Sequence, residues 1–386
     1  MHYYRYRHGS LLSIKELMYN EIYFGSPREC NDPFDSKAFY EFPNDPVRWR
    51  RLLDQALTVQ DKDFKKMLLD DLTNHMCSRS PITLEDLSDR PFFNEPPLAG
   101  RFQEQTLINM ELAVRRFINT YIPPTRYFTC FSKLDSDTLM WAHYANNHRG
   151  FCLIFKAIDN KLKQDGQFKK RQIRRSTPKG ITQEMTYGMP KEFEFQPIDY
   201  RAVVEPLNAF KCLSAFVYGE TLSADQIDEL RLEQNSHFVQ KHHSWHYEKE
   251  YRLILPPPPS WLFGGHFEYT PHERLFHYAP NQLVGIIFGA RMSDHEKDAI
   301  TEILSDMLDR RHDKVTYPFI SFDFVKFEAK LSASQREIEV QPVEILGFNG
   351  MKQGDKDFEQ RYTRWKEGWG LEFSEDGRRC KPMQVM

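Results

Sequence analysis

No stretch of this chain approaches the roughly 18 consecutive apolar residues that a membrane-spanning helix needs, and the opening Met1-His2-Tyr3-Tyr4-Arg5-Tyr6-Arg7 lacks the apolar core of a secretory signal. A cytoplasmic protein is expected. Cysteine is sparse: there are 6 (Cys30, Cys77, Cys130, Cys152, Cys212 and Cys380), and none forms the close Cys-x-x-Cys pair of zinc or redox sites. That argues against a disulfide framework and predicts reduced, mostly structural thiols. No sign of charge dominates either. With 52 basic and 55 acidic residues the net charge is -3, which removes the simplest electrostatic case for binding nucleic acid or an anionic membrane and leaves only local patches. Internal repeats and low-complexity tracts are also missing.

What is present is apolar and aromatic substance. Of 386 residues 40% are hydrophobic and 14% aromatic, mainly 30 Phe and 18 Tyr, enough to bury a sizeable core. Helices and short strands follow one another without regular β-α alternation, so the fold class expected is α+β, with mixed short-stranded sheets and flanking helices. A strand over Tyr3 to Arg7 leads to a capping box, Ser13-x-x-Glu16, for a helix through Met18, and to a strand over Ile22 to Phe24. Residues 44–122 read as a charged helical insertion broken by the Pro-rich stretch from Arg90 to Pro97. Strands over Tyr127 to Phe131 and Phe151 to Phe155 flank a helix from Thr138 to Asn146, capped by Asp135 or Ser136. Residues 156–191, with the basic run Lys169 to Arg175, read as a projecting mobile loop. Ser223-x-x-Gln226 starts a helix reaching His242; Trp245 to Leu255 reads as a strand stopped by Pro256 to Pro259. Leu283 to Phe288 is a short buried strand, Ser293-x-x-Glu296 caps a helix, and a strand is expected over Val315 to Phe327. The chain thus divides into one elaborated α+β domain, 1–328, and a polar C-terminal extension, 329–386, in which Trp365 and Trp369, four apart, can dock.

Three segments stand out together: Asn31-Asp-Pro-Phe-Asp35; Cys130-Phe-Ser132 with Leu139-Met-Trp-Ala-His-Tyr-Ala145 and His148-Arg-Gly-Phe151; and Trp245-His-Tyr-Glu-Lys-Glu-Tyr-Arg252. In this order and spacing they resemble the bacterial family catalogued as domain of unknown function 2971, over about Tyr3 to Leu308. A second resemblance concerns chemistry. An Arg on the first strand (Arg5 or Arg7), a Ser or Thr on a middle strand (Ser132 or Thr129) and Glu-x-Glu on a late one (Glu248, Glu250) is similar to the arginine-serine-glutamate order of ADP-ribosyltransferases, although Thr-Cys-Phe-Ser replaces the usual Ser-Thr-Ser. That resemblance implies an ADP-ribosyltransferase-like core, NAD as substrate, a macromolecular or water acceptor, and service in toxin or phage-defence systems.

The residue types fit such chemistry in specific ways. Arg5 and Arg7 share one strand face, and paired guanidiniums suit a pyrophosphate; the structural alternative is a solvated basic edge strand. Glu248 and Glu250 likewise share a strand face, with Arg252 next along it; Glu250 would then stabilise the oxocarbenium-like state of glycosidic cleavage and Glu248 orient or deprotonate the acceptor, and the alternative is an ordinary charge ladder. Ser132 positions a hydroxyl-rich ligand or caps a strand. Trp141 and Tyr144, with His143, line a pocket where a ring stacks on nicotinamide or adenine, or Trp141 is core. His143 and His148 fall on different helix faces, so no metal is expected. Asn31 to Asp35 is turn chemistry, with Phe34 expected in the core. The expected sites are therefore catalytic Glu250 and Glu248 and NAD-binding Arg5, Arg7, Ser132, Trp141 and Tyr144. Two readings of other classes stay open: a non-enzymatic ligand-, protein- or nucleic-acid-binding defence module, and a nuclease with a metal on Asp32, Asp35 and Glu250.

Overall fold

A run such as Phe151-Cys-Leu-Ile-Phe155, apolar on both faces, is satisfied only in the interior of a sheet covered on each side, and there the chain puts it. The computed structural model describes residues 1–36, 38–89, 91–123, 126–165, 170–176, 180, 182–256, 269–312, 324–346, 358–373 and 380–383. Eight strands build the principal sheet: His2–Arg7 (β1), Tyr127–Ser132 (β2), Phe151–Lys156 (β3), Gln196–Pro197 (β4), Glu250–Leu255 (β5), Leu283–Phe288 (β6), Phe324–Leu331 (β7) and Ile338–Leu346 (β8). Their order is β4-β5-β2-β1-β3-β6-β7-β8, antiparallel throughout except for β6 and β7. The principal helices are Leu11–Met18 (α1), Pro46–Ala56 (α2), Lys62–Arg79 (α3), Glu104–Tyr121 (α4), Thr138–Tyr144 (α5), Ala224–Phe238 (α6), Asp294–His312 (α7) and Phe358–Trp369 (α8). The class is α+β.

Register separates the two faces of the sheet. Directly opposed residues of antiparallel strands point to the same side, so Leu153, opposite Arg5 and Ile286, shares a face with Tyr3, Phe131 and Leu253. This face packs against Leu17 of α1 and Ile300, Leu304 and Met307 of α7. On the other face Tyr6, Cys152, Ile154 and Ile287 meet Met140 and Trp141 of α5 and Trp365 of α8. A second core belongs to the helical unit: α2, α3 and α4 close around Trp49, Leu53, Leu72 and Leu107, together with Leu207, Phe210 and Val217 from later in the chain. The helical insertion therefore includes residues well beyond 122.

Several expectations need correction. Ser10, not Ser13, caps α1 through the Ser13 amide, which leaves Glu16 to pair with Arg7. Asp137 caps α5, its carboxylate accepting from the Met140 amide at 2.9 Å. The basic segment forms a hairpin, Lys170–Ser176 against Thr182–Gly188, where a mobile loop was expected; Lys169 lies outside the described residues. The boundary at 328 falls inside β7, and β8 completes the sheet, so the C-terminal segment is not a peripheral extension. It docks as the tryptophan spacing suggested: Trp365 is buried and Trp369 stacks on His2 with ring centroids 4.5 Å apart. The strand expected over Val315 to Phe327 begins at Phe324 in the described residues. Phe34 is 81% exposed, because the Asp32 carboxylate turns the chain by accepting the Phe34 amide at 2.9 Å.

After α5 the chain makes a sharp turn, and the Gly150 amide donates to Ala145 O at 2.8 Å. A Cβ at Gly150 would lie 2.1 Å from Arg7 O on β1, a backbone atom with no side-chain freedom to yield. Gly150→Ala is expected to lose about 1–3 kcal/mol, the usual cost of overpacking, read as a lower urea midpoint with an unchanged denaturant slope.

Candidate functional site

Three carboxylates and two cations meet under the face of the sheet that carries Ser132. Strand β5 supplies Glu250 and Arg252, which point the same way because they are two residues apart. The loop that leads into the helical unit supplies Asp35, and the short strand Gln240–His242, after α6, supplies Lys241. Glu248 arrives differently. Where a strand was expected from Trp245, residues His243–Glu248 form a 3-10 turn, and Lys249 has φ +44°, a left-handed conformation uncommon for a residue with a side chain. The two carboxylates thus converge from a turn and a strand, not by strand alternation.

Lys241 Nζ lies 2.5 Å from Glu248 Oε2, 3.1 Å from Glu250 Oε2 and 3.5 Å from Asp35 Oδ2. Arg252 is 0% exposed. Its guanidinium holds Glu250 in a two-pronged pair, donates to Asp35 at 2.7 Å, to Ser36 Oγ and to Phe238 O at 3.2 Å, and lies 4.3 Å from the Phe128 ring centroid. The Glu250 amide donates to Tyr200 Oη at 2.8 Å. Solvent approaches the cluster at two points. At one, half-buried Tyr144 donates to Glu248 Oε1 at 2.5 Å and accepts from exposed Asn31 at 3.4 Å. Trp245, whose ring centroid is 4.9 Å from the Lys241 ammonium, flanks this opening with Tyr247 and exposed His143. At the other lies Cys130, opposite Arg252 on the neighbouring strand. Solvent reaches Cys130, yet it sits so deep among protein atoms that desolvation, followed by the charge of Glu250, raises its thiol well above the ordinary range.

Charge parity sets the electrostatics. Two cations neutralise two of the three carboxylates, which leaves one over. Burial works to raise the Glu250 carboxyl, but Arg252 and then Lys241 outweigh it and hold the group down at about 2. Burial raises Glu248 more than Lys241 lowers it, and the neighbouring charge of Glu250 adds to the rise. Lys241 itself loses to burial and regains more from Glu250, Asp35 and Glu248, so its ammonium is strengthened. Burial and then Glu248 push the Tyr144 hydroxyl up. Glu248 is therefore the carboxyl of the cluster that holds its proton more firmly than an ordinary one, and Tyr144 connects it to the surface.

The structure brings Ser132, Tyr144, Glu248 and Glu250 together and keeps the other expected residues away. Ser132 pairs with both Tyr4 and Glu250, so Ser132 and Glu250 share a face with Tyr4. Arg5 and Arg7 alternate with Tyr4 and project from the opposite face, Arg7 onto Glu16 and Arg5 toward the Phe131 ring at 5.8 Å. An arginine clamp joined to Glu250 is excluded by that register. Trp141 is 0% exposed, with its indole nitrogen donating to Asp135 O at 2.7 Å and Tyr6 edge-on at 5.1 Å, so it is core and not a stacking surface for a ligand. The Ser132 hydroxyl donates to Glu248 O at 2.7 Å and accepts from the Leu134 amide, which fixes the Glu248 backbone and leaves nothing for a ligand. Asp32 serves its turn, and the gap between Asp35 and Glu250 holds the guanidinium and ammonium of Arg252 and Lys241, where the nuclease reading requires a metal; among the described residues no group of three His, Cys, Asp or Glu could hold a metal ion. Sequence reasoning missed Lys241 and Tyr200. Neither lies in a periodic motif, and only the excess of buried carboxylate would have called for a further cation.

Residues 140–253 match the family model described as a protein of unknown function (DUF2971). The match contains Tyr144, Tyr200, Lys241, Glu248 and Glu250 and continues through Arg252, whereas Asp35 and Ser132 lie before it. No curated protein and no solved structure matches the chain. The resemblance to ADP-ribosyltransferases has no support among these comparisons. No helix among the described residues is long and apolar enough to cross a membrane.

The linkage has a definite sign. A carboxyl lowered from 4.5 to about 2 contributes stability that is fully present above 4.5 and is lost as pH falls toward 2, on the order of 3 kcal/mol in all. Glu250→Gln is expected to cost about 3–5 kcal/mol near neutrality, because Arg252 and Lys241 lose their shared counter-charge. The gap from wild type in urea unfolding should narrow as pH drops from about 4.5 toward 2, and a gap constant with pH would show that Glu250 is not held ionised.

Proposed function

We propose that the face bounded by Asn31, Tyr144, Trp245 and Tyr247 is the entrance to an active site that cleaves a glycosidic bond in a nucleotide. NAD is the first substrate to test, and ADP-ribose passes to a macromolecule or to water. The observation that carries this reading is the split of the carboxylate pair: Glu250 is held ionised by Arg252 and Lys241, while burial raises Glu248 and Tyr144 links it to solvent. Pairs of titratable groups driven apart in this way mark acid–base assignments.

The roles differ from those the strand pattern implied. Glu248 is the proton-transferring group, taking a proton from the acceptor hydroxyl or water as the bond to nicotinamide breaks. Glu250 acts through its partners: it keeps Lys241 and Arg252 in place. Once Glu248 is ionised the cluster carries one net negative charge, which favours the positive charge that develops on the ribose. The aromatic rim offers Trp245 and Tyr247 as stacking surfaces for a flat base. Arg5 and Arg7 take no part, so the pyrophosphate must find its donors elsewhere on this face.

A binding module without catalysis is the second reading. It is favoured by the completeness of the Arg252 contacts, which leave that cation no free donor direction toward a substrate.

Nicotinamide release from NAD, with and without cell lysate as acceptor, tests the first reading. Glu248→Gln should reduce release by about a hundredfold or more, the usual loss of a general acid–base group, with a circular dichroism spectrum matching wild type to show that the variant is folded. Release that survives in Glu248→Gln would reject the assignment of Glu248. Absence of release from folded wild type under both conditions would turn the reading to the binding module.

A further inference from the structure

Beyond Arg252, strand β5 continues to Ile254 on the same face, and there the wall of a separate cavity begins. The cavity has a volume of about 280 Å³ and is lined by Arg126, Glu194, Gln196, Asn235, Phe238 and Ile254, among others. None of the acid–base residues of the Glu248 face lines it. Its volume falls below the usual range of about 300–1,000 Å³ for drug-sized ligands, so it suits a smaller metabolite.

Arg126 is the unusual member. Its guanidinium lies 5.0 Å from the Phe238 ring centroid, and its Nε is buried without a hydrogen-bond partner. No carboxylate among the described residues pairs with it. Burial lowers its pKa, and the only compensating influence comes from Tyr40, whose own hydroxyl is also buried and unpartnered. Arg126 is partly exposed, with a buried donor unmet, and an anion in the cavity would complete it. The opposite charge stands on the same lining: among the described residues Glu194 makes no ion pair within salt-bridge distance, whereas Glu192 is taken up by Lys161. One unpaired cation and one unpaired anion disfavour a phosphate dianion and match a ligand that carries both signs.

We propose that this cavity binds a small amino-acid-like zwitterion, with its carboxylate on the Arg126 guanidinium and its ammonium toward Glu194. Gln196 and Asn235 offer further hydrogen bonds, and the face of Phe238 left beside Arg126 accommodates a short apolar side chain. This site is independent of the nucleotide reading of the Glu248 face, and it stands or falls separately.

Isothermal titration of the full chain with the common L-amino acids tests it, with propionate, a simple alkylamine and inorganic phosphate as single-charge controls. At least one amino acid should bind saturably and more tightly than every control. Arg126→Gln and Glu194→Gln should each weaken that binding by at least about tenfold, as loss of a charge-assisted hydrogen bond implies. Glu194→Gln alters an exposed side chain, so it decides the matter even where Arg126→Gln disturbs folding. No amino-acid binding at millimolar concentration, preference for phosphate, or binding unchanged in Glu194→Gln would each overturn the proposal.

Discussion

A guanidinium with no solvent exposure is the constraint around which the rest is organised. Removing an ion from water costs several kcal/mol even after relaxation, so Arg252 is tolerated only where every direction of its fork is met. The partners come from three separated stretches of chain: Asp35 and Ser36 before the helical unit, Phe238 at the end of α6, and Glu250 on β5 itself. Lys241, on the strand after α6, joins the same carboxylates. The helical unit is thereby tied at its beginning and its end to one point of the principal sheet. Apolar contact alone would permit several ways of seating that unit; an ion network with fixed geometry permits few.

Parity then gives the cluster its chemistry. Had the chain placed two carboxylates with its two cations, the result would be a neutral structural lock. The third carboxylate changes this, because it must share a cation with another carboxylate. The cost falls on Glu248, whose carboxyl is raised where that of Glu250 is lowered; it shares Lys241 with Glu250 and receives its other hydrogen bond from a neutral hydroxyl, Tyr144. The left-handed turn at Lys249 makes the arrangement feasible. It releases Glu248 from the strand register, and Ser132 then pins the displaced backbone through the Glu248 carbonyl.

Much of the fold was legible because local signals and burial agreed. Phe151 to Phe155 reads as a buried strand and is one; Ser293 and Glu296 form their reciprocal cap, and Ser223 with Gln226 does the same for α6. The site was legible in its residue types and less so in its geometry. Glu248, Glu250, Tyr144 and Ser132 meet as their motifs suggested, but alternation was applied across a stretch that is a 3-10 turn, and it says nothing about which face of β1 meets which face of β2. That depends on a single pairing, Tyr4 with Ser132, which no local pattern encodes. It sends Arg5 and Arg7 to the far side. Lys241 was illegible for a related reason: its importance comes from charges that are remote in sequence and become neighbours only after the helical unit has folded.

The same alternation that defeats the arginine clamp produces a graded surface along β5. Glu250, Arg252 and Ile254 point to one side in succession, so this face runs from a fully compensated ion cluster to the wall of the Arg126 cavity. Phe238 stands between the two, with its carbonyl on Arg252 and its ring beneath Arg126. One residue therefore separates a guanidinium with every donor satisfied from one with a buried donor unmet. Both cations rest on aromatic rings, Phe128 under Arg252 and Phe238 under Arg126, so the ring contact does not distinguish them. The counter-ion does: Arg252 finds its carboxylates close at hand, and among the described residues Arg126 pairs with none.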